Sequence, residues 1–521
     1  MKKILAALLA FALLLPGAAL AEAANAGYPC VDEPLTLTAF ATAGPYTKGD
    51  FNDLAMWDVM EELTNITFEF EAAPSGQSAE RLGLLFASNT LPDVIFKTGL
   101  STTDVSNYAE EGQLVAIDPY LEEYAPNFSA LLETYPEVRK AITMPDGHIY
   151  GFPYVVTASP SNCTPKLFIN QKVLDAFGAE EPRTLDELTE LLRRFKESDW
   201  NGNGQADEIP MTMEGFGQVL TGLYGTFGLG TRGASSTSWD IDPETGALRF
   251  IPASEGYREW LEYVAMLYQE GLLDEEIFTS DIAAYTAKAE QNILFFAPAT
   301  NTNYLSTYQD DFVGLSAPLT RAEGEEPFWA GENLAVYANN TFITNQCENP
   351  AAVVKYFDYF YGEEGITLFF MGIEGETFYY DEDGNPQYTD FVKNNPDGMN
   401  MEEALGTYVC WSGGGNPSVA DDLHFGVHLI PEATVTAAQN LLAYGPETIW
   451  PADFSYTTEE AELLAEYKLE ILTYVEDMRA RFITGSESLE NWDAYLEQLD
   501  RMDLEGYTEL VQTALDRYNA E

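Results

Sequence analysis

The segment Asp199-Trp200-Asn201-Gly202-Asn203-Gly204-Gln205-Ala206-Asp207-Glu208 has the residue types and spacing of a cation loop. Side-chain oxygens fall at relative positions 1, 3, 5 and 9, from Asp199, Asn201, Asn203 and Asp207, with glycine at position 6. Alternating oxygens let a backbone wrap a hard cation, and Gly204 permits the sharp turn, as in the first part of an EF-hand. Gln205 would lend its backbone carbonyl. The twelfth position, where an EF-hand keeps a bidentate Glu, is Pro210, so Asp207 or Glu208 must supply that carboxylate. The expected ion is calcium in a structural role, and the competing reading is a plain Asn-Gly turn. Two other acidic stretches, 240–246 and 381–385, read as hairpin turns, for which ordinary turn chemistry suffices. His424 and His428 are four apart with no third ligand near them in sequence, so zinc is not expected.

Catalytic signatures are missing: the chain has no Gly-x-Ser-x-Gly elbow, no His-Glu-x-x-His and no Walker loop. Paired carboxylates could hydrolyse glycosides, but among 85 acidic residues a chance pair carries no information. The aromatics say more. A Trp or Tyr under a sugar ring buries its C–H face and leaves the hydroxyls free for polar partners. Trp200, Trp239, Trp329, Trp411 and Trp450 lie near Gly, Pro, Asn or Ser, whereas Trp57, Trp260 and Trp492 sit in helical stretches. Core packing is the better reading for any single Trp, but several loop aromatics together point to ligand platforms.

These residues need a scaffold to position them. The chain has 25 Lys plus Arg against 85 Asp plus Glu, a formal charge of −60, which repels nucleic acid and anionic membranes. Thirty Phe, 30 Tyr and 8 Trp are too many for a solvated acidic tail. Lys2 and Lys3, the apolar run 4–15 and Ala19-Leu20-Ala21 read as a secretory signal over 1–21. The product is therefore expected to be secreted, with Cys30 not carrying a lipid, because Gly27-Tyr28-Pro29 is a poor lipobox. The four cysteines leave disulfide pairing open. Leu35-Thr36-Leu37-Thr38-Ala39-Phe40 alternates like a strand, 53–64 is an amphipathic helix, 67–70 alternates again, 79–88 is helical and 92–96 is a buried strand. That is a βαβ pattern and implies a parallel sheet with ligand positions beyond the strands' carboxyl ends, here 41–46 and 97–101. A second α/β block starts near Phe168-Ile169-Asn170, with helices over 185–198 and 257–270 and a strand over 292–297. Residues 350–361 are helical, and 459–518 are helical with one break at Thr484-Gly485-Ser486.

Several stretches, in order, resemble the bacterial extracellular solute-binding proteins (family 1) of ABC importers, in particular their large oligosaccharide-binding, lipoprotein-like branch. They are Leu91-Pro92-Asp93-Val94-Ile95, Gly112-Gln113-Leu114-Val115-Ala116-Ile117-Asp118, and Asp146-Gly147-His148-Ile149-Tyr150-Gly151-Phe152-Pro153. Phe168-Ile169-Asn170, Pro182-Arg183-Thr184-Leu185-Asp186-Glu187, the loop 199–210, Trp492-Asp493-Ala494-Tyr495 and Asp516-Arg517-Tyr518 complete the series. The resemblance implies an α/β, two-lobe, periplasmic-binding-protein-like clamshell with extra C-terminal helices. It also implies capture of a carbohydrate without chemistry, a permease as partner, and a monomer. On this reading the N-terminal lobe takes 22–155 plus 285–325, and the C-terminal lobe takes 156–284 plus 326–521. Residues 152–159 form the first crossing, and 317–329 lie near the second. Strand ends and crossings then suggest Thr42, Lys97, Tyr154, Trp239, Asn301, Trp329, Glu332 and Trp411 as ligand contacts, and Asp199, Asn201, Asn203, Gln205, Asp207 and Glu208 as the calcium set. The alternatives are a secreted glycoside hydrolase or lyase, and a surface adhesin.

Overall fold

In the computed structural model the described residues are 27–44, 46–158, 164–233, 236–331, 334–410, 415–424, 431–451 and 454–520. The signal reading, Cys163, Glu332, Trp411 and His428 lie outside them. The described chain divides into two units.

The first unit holds the residues up to 136 with 146–154 and 337–419. The alternating sequence LTLTAFATA forms β1 (Leu35–Ala43), with Leu37, Ala39 and Ala41 buried. It runs parallel to β2 (Ile66–Pro74) from Leu35↔Ile66 to Ala43↔Pro74, and parallel to β3 (Val94–Phe96) from Ala39↔Val94 to Ala41↔Phe96. Helices Ala55–Thr64 and Ser75–Ser88 fill the two crossovers, as the periodicity predicts. Each ends on an asparagine with positive φ, Asn65 at 58° and Asn89 at 52°, a geometry that asparagine tolerates better than most residues. With β4 (Gly151–Val156), β11 (Ala335–Ile343) and β14 (Ser418–Ala420) the sheet order is β14-β4-β11-β3-β1-β2, and β11 is antiparallel to β3. The expected helix is present as Pro350–Asp358 followed by a tighter turn Tyr359–Tyr361; Phe357 packs 6.0 Å from Phe96 and 6.2 Å from Phe68. Strands β12 (Phe378–Tyr380) and β13 (Pro386–Tyr388) form the hairpin expected around 381–385, with Asp381 Oδ1 accepting from the amides of Asp383 and Asn385.

The second unit holds 137–145, 155–336 and the residues from 420 onward. Its sheet, in order β10-β5-β9-β6, combines β5 (Phe168–Asn170), β6 (Ile209–Met211), β9 (Leu294–Phe296) and β10 (Phe312–Gly314). β6 and β9 are parallel, and β5 is antiparallel to β9 and β10. β7 (Trp239–Ile241) and β8 (Leu248–Phe250) make the other expected hairpin. A large aromatic core includes Phe195, Trp260, Phe295, Phe482 and Tyr495. The C-terminal helices Thr473–Thr484, Trp492–Arg501 and Leu504–Ala520 belong to it, and the chain breaks at Gly485 (φ 76°) as expected.

The lobe boundaries differ from the expected ones. Residues 285–325 belong to the second unit because β9 pairs with β5 and β6, and 337–419 belong to the first because β11 pairs with β3. The chain passes between units at Pro136/Glu137, Pro145/Asp146, Tyr154/Val155, Val336/Tyr337 and Val419/Ala420, the third of these within 152–159. These strands pair across separations such as 85 residues (Ile209↔Leu294) and 247 (Ile95↔Phe342), and such pairing has no local signature in the sequence.

Candidate functional site

Most of the motif residues that run in family order hold the fold rather than a ligand. Asp93 accepts hydrogen bonds from the Thr38 amide (2.8 Å) and hydroxyl (2.7 Å), tying β3 to β1. Asp146 accepts from the His148 amide (3.0 Å) and the Tyr150 hydroxyl (2.7 Å), closing the turn at Gly147. Thr184 and Glu187 form a capping box on helix Leu185–Lys196, and Asn170 caps Gln171–Phe177. The Arg517 guanidinium donates to Glu460 and to the Ser455 carbonyl.

What remains gathers at the carboxyl ends of the parallel strands. In the first unit the pairing Ala41↔Phe96 sets Thr42 beside Lys97. Thr42 hydrogen-bonds Ser78, at the start of the helix after β2. Lys97 takes a positive φ of 57°, an uncommon and costly geometry for a side chain other than glycine. Its amide donates to Thr341 Oγ1 (3.2 Å) and its ammonium to Asn416 Oδ1 (2.8 Å). The side chain is only 4 % exposed, and burial pushes its ammonium down to about 8. The Thr98 and Leu100 amides bond the Asn340 and Asn339 carbonyls, extending the β3–β11 edge. Thr98 Oγ1 is buried there without a protein partner. Beyond that edge Tyr337 is 55 % exposed and lies on Tyr154, ring centroids 5.8 Å apart and planes at 26°. A partly exposed aromatic ring is thus set beside Asn339, while Asn340 is buried with its amide on the Tyr337 carbonyl. Sequence reading identified Tyr154 but missed Tyr337, whose one local signal is its place in Ala335-Val336-Tyr337-Ala338-Asn339-Asn340, an aromatic ahead of two amides.

In the second unit the ends of β6 and β9 carry Glu214 and Thr300-Asn301. Glu214, largely buried, accepts from the Thr300 hydroxyl (2.7 Å) and amide, and Lys166, fully buried, donates to the Thr300 carbonyl (2.7 Å). Asn301 Oδ1 accepts from the Asn303 amide (2.8 Å). Glu214 and Lys166 have no sequence pattern around them; the β5–β9–β6 pairing alone brings them together. Two of the expected Trp contacts have buried side chains. Trp329 is 2 % exposed within the core, and Gly331 has no side chain because a Cβ there would meet the Trp329 ring at 1.6 Å. Trp239 is 6 % exposed, packs on Phe250 (4.9 Å) and Tyr507 (5.0 Å), and lines a cavity of about 230 Å³ with Trp450, Tyr456 and Lys468. Large apolar rings gain more from such packing than from solvent.

The loop 199–208 folds as its spacing requires. Gly202 (φ 71°) and Gly204 (φ 77°) make the turns, and the Gly204 amide donates to Asp199 Oδ1 and Oδ2 at 3.2 Å each. Asn201 Oδ1 accepts from the Asn203 amide (3.0 Å), Asn203 Oδ1 from the Gln205 amide (2.7 Å), and Asn203 Nδ2 donates to Asp207 Oδ2 (2.8 Å). Glu208 is 8 % exposed and accepts from the Trp200 amide (2.7 Å). Asp207 Oδ1 and Glu208 Oε2 are both buried without a hydrogen-bond donor. Orphaned carboxylate oxygens are costly unless a cation meets them, so the donor set fits a hard divalent ion. Among the described residues no cluster of three or more His, Cys, Asp and Glu is gathered at metal-site distances. His424 bonds Asp421 (2.9 Å), as a structural histidine does.

Comparison with known proteins agrees with this architecture. The chain is 25 % identical over 509 residues to the fructooligosaccharide ABC transporter substrate-binding protein FusA of Streptococcus pneumoniae serotype 4, covering 94 % of this chain and 92 % of that one. It is 23 % identical over 340 residues to the polygalacturonan/rhamnogalacturonan-binding protein YtcQ of Bacillus subtilis, covering 62 % and 63 %. FusA has been solved with kestose and, as an EF-hand mutant, with fructo-nystose; each matches with a TM-score of 0.71 at 23 % identity, over 93 % of this chain and 99 % of that one. An HMO-binding solute-binding protein from Bifidobacterium longum infantis matches with a TM-score of 0.76 at 20 % identity, over 94 % and 99 %. The profile of the family itself aligns with residues 44–367, well over half the chain, and the protein belongs to the bacterial extracellular solute-binding proteins.

Proposed function

We propose that the protein captures a carbohydrate, an oligosaccharide, outside the cell and passes it unaltered to the membrane-spanning permease of an ABC importer. The observation that carries this reading is the Tyr337–Tyr154 platform beside the Asn339 and Asn340 edge of β3 and β11. An exposed tyrosine ring suits the C–H side of a pyranose or furanose, and amides and hydroxyls suit its rim. The sugar-binding relatives support it. Ligand contacts that favour one conformation of the receptor shift its population, and the permease reads that shift. Thr42, Tyr154 and Asn301 are the expected contacts that lie at the strand ends, with Tyr337 added, while Lys97 supports that edge through Asn416; Glu332 and Trp411 remain in the proposal on sequence grounds.

A calcium ion held by Asp199, Asn201, Asn203, the Gln205 carbonyl, Asp207 and Glu208 is part of the same reading, supported by the two orphaned carboxylate oxygens. Its role is to brace the loop between helix Leu185–Lys196 and β6. Cys30 carries no lipid on this account. Its amide bonds the Thr64 carbonyl (3.0 Å), and its side chain is half-buried. The deciding experiment is a thermal-shift and calorimetric screen against mono- and oligosaccharides, with peptides and polyamines as controls, followed by chromatography of the bound sugar. A saccharide should raise the melting temperature and be recovered intact; cleavage products would establish the hydrolase alternative, and a response to peptides alone would end the carbohydrate reading.

A further inference from the structure

Resting on that carbohydrate reading, we infer that the cargo is an uncharged oligosaccharide and that sugars carrying carboxylates are refused. Recognition of a uronic acid needs a cation whose hydrogen-bond capacity is directed at the ligand. Two lysines stand at the carboxyl ends of the strands, and the protein has committed both to itself. Lys97 is 4 % exposed with its ammonium on Asn416, and Lys166 is fully buried with its ammonium on the Thr300 carbonyl. The neighbouring basic residue at the first edge, Lys48, is paired with Glu403 at 2.9 Å. Beside the Lys166 ammonium, Thr300 also carries a carboxylate, Glu214. The internal residues outside the described set, 45, 159–163, 234–235, 332–333, 411–414, 425–430 and 452–453, contain no Lys or Arg, so no ammonium or guanidinium can come from those segments.

The field of the whole chain acts in the same direction. At −60 the surface repels an anionic ligand during approach, and the uncharged polar groups at the edges, Thr42, Asn301 and Asn339, suit hydroxyls. The two buried lysines take the role of internal donors: Lys97 ties β3 to Asn416, and Lys166 orients the Thr300 carbonyl at the end of β9. A positive charge in the sequence at 97 therefore marks a structural tie and not a site for an acidic sugar.

The experiment is isothermal calorimetry on the full chain with matched probes: 1-kestose, nystose and lacto-N-tetraose as neutral sugars, and trigalacturonate and trimannuronate as acidic ones. At least one neutral probe should bind, with Kd unchanged within twofold between 20 and 500 mM salt, and each acidic probe should bind at least tenfold more weakly. An acidic probe that binds as tightly as the best neutral one, or better, overturns the charge inference and leaves the carbohydrate reading standing. Failure of both classes, with a response to a non-sugar solute, overturns the carbohydrate reading and this inference together.

Discussion

Replacing Tyr337 by alanine tests the platform directly. Tyr337 exposes 55 % of its surface, while Tyr154 beneath it exposes 4 %. A tyrosine side chain offers on the order of 150–250 Å² when fully buried, so roughly 100 Å² of Tyr337 is open to a ligand. A sugar ring lying on one face covers about half of that and loses a similar area of its own. At ~25 cal/mol per Å² the contact is worth about 2.5 kcal/mol at most, and the ordering cost of the ligand reduces the net. The expected loss is about 1.5–2.5 kcal/mol, or roughly 10- to 70-fold in Kd. Folding should change little, by less than about 1 kcal/mol, because the ring is half exposed. The assay is calorimetric titration of wild type, Tyr337→Ala and Tyr337→Phe with the best saccharide of the screen. Tyr337→Phe should bind within about threefold of wild type, since it keeps the ring face. A folded Tyr337→Ala protein that binds within twofold of wild type would refute the platform and with it the role given to the β3–β11 edge.

Chelator should lower the melting temperature by about 3 °C or more, and Asp199→Ala combined with Asp207→Ala should abolish that response; a chelator-insensitive wild type would reject the ion. Gly331→Ala should destabilise by about 1–3 kcal/mol in chemical denaturation, because its Cβ would collide with the Trp329 ring, and an unchanged midpoint would show that the ring moves freely. Burial raises the Asp358 carboxyl to about 6, above the ordinary value near 4, against hydrogen bonds from the Phe128 amide and Asn127. The folded state then holds a proton the unfolded chain has released between those values, so stability falls as pH rises from about 4 through 6. The stability of wild type relative to Asp358→Asn should therefore decline by about 2–3 kcal/mol from pH 4 to pH 7, and a flat difference would refute the burial argument.

Local patterns in the sequence determined a good deal. The alternation in 35–40 marks β1, the i, i+3, i+4 spacing marks helix Ala55–Thr64, and Gly485 marks the C-terminal break, because each depends on residues within one or two turns of each other. The oxygen spacing of 199–208 likewise needed no distant partner, and the loop adopts the turns its glycines permit. The strand-end rule pointed to Thr42, Lys97 and Asn301 because βαβ order is itself local. What the tertiary structure decided was which of these groups remain available. Trp239 and Trp329 looked like platforms beside small residues, and long-range packing buried them. Lys97 looked like a charge for a ligand, and Asn416, more than three hundred residues away, took it. Tyr337 acquired its meaning only when β11 returned to lie between β4 and β3 and set its ring on Tyr154. Residue type limits what a side chain can do, but exposure and partners are set by chain segments that meet only when the sheet closes, and no spacing in the sequence encodes those meetings.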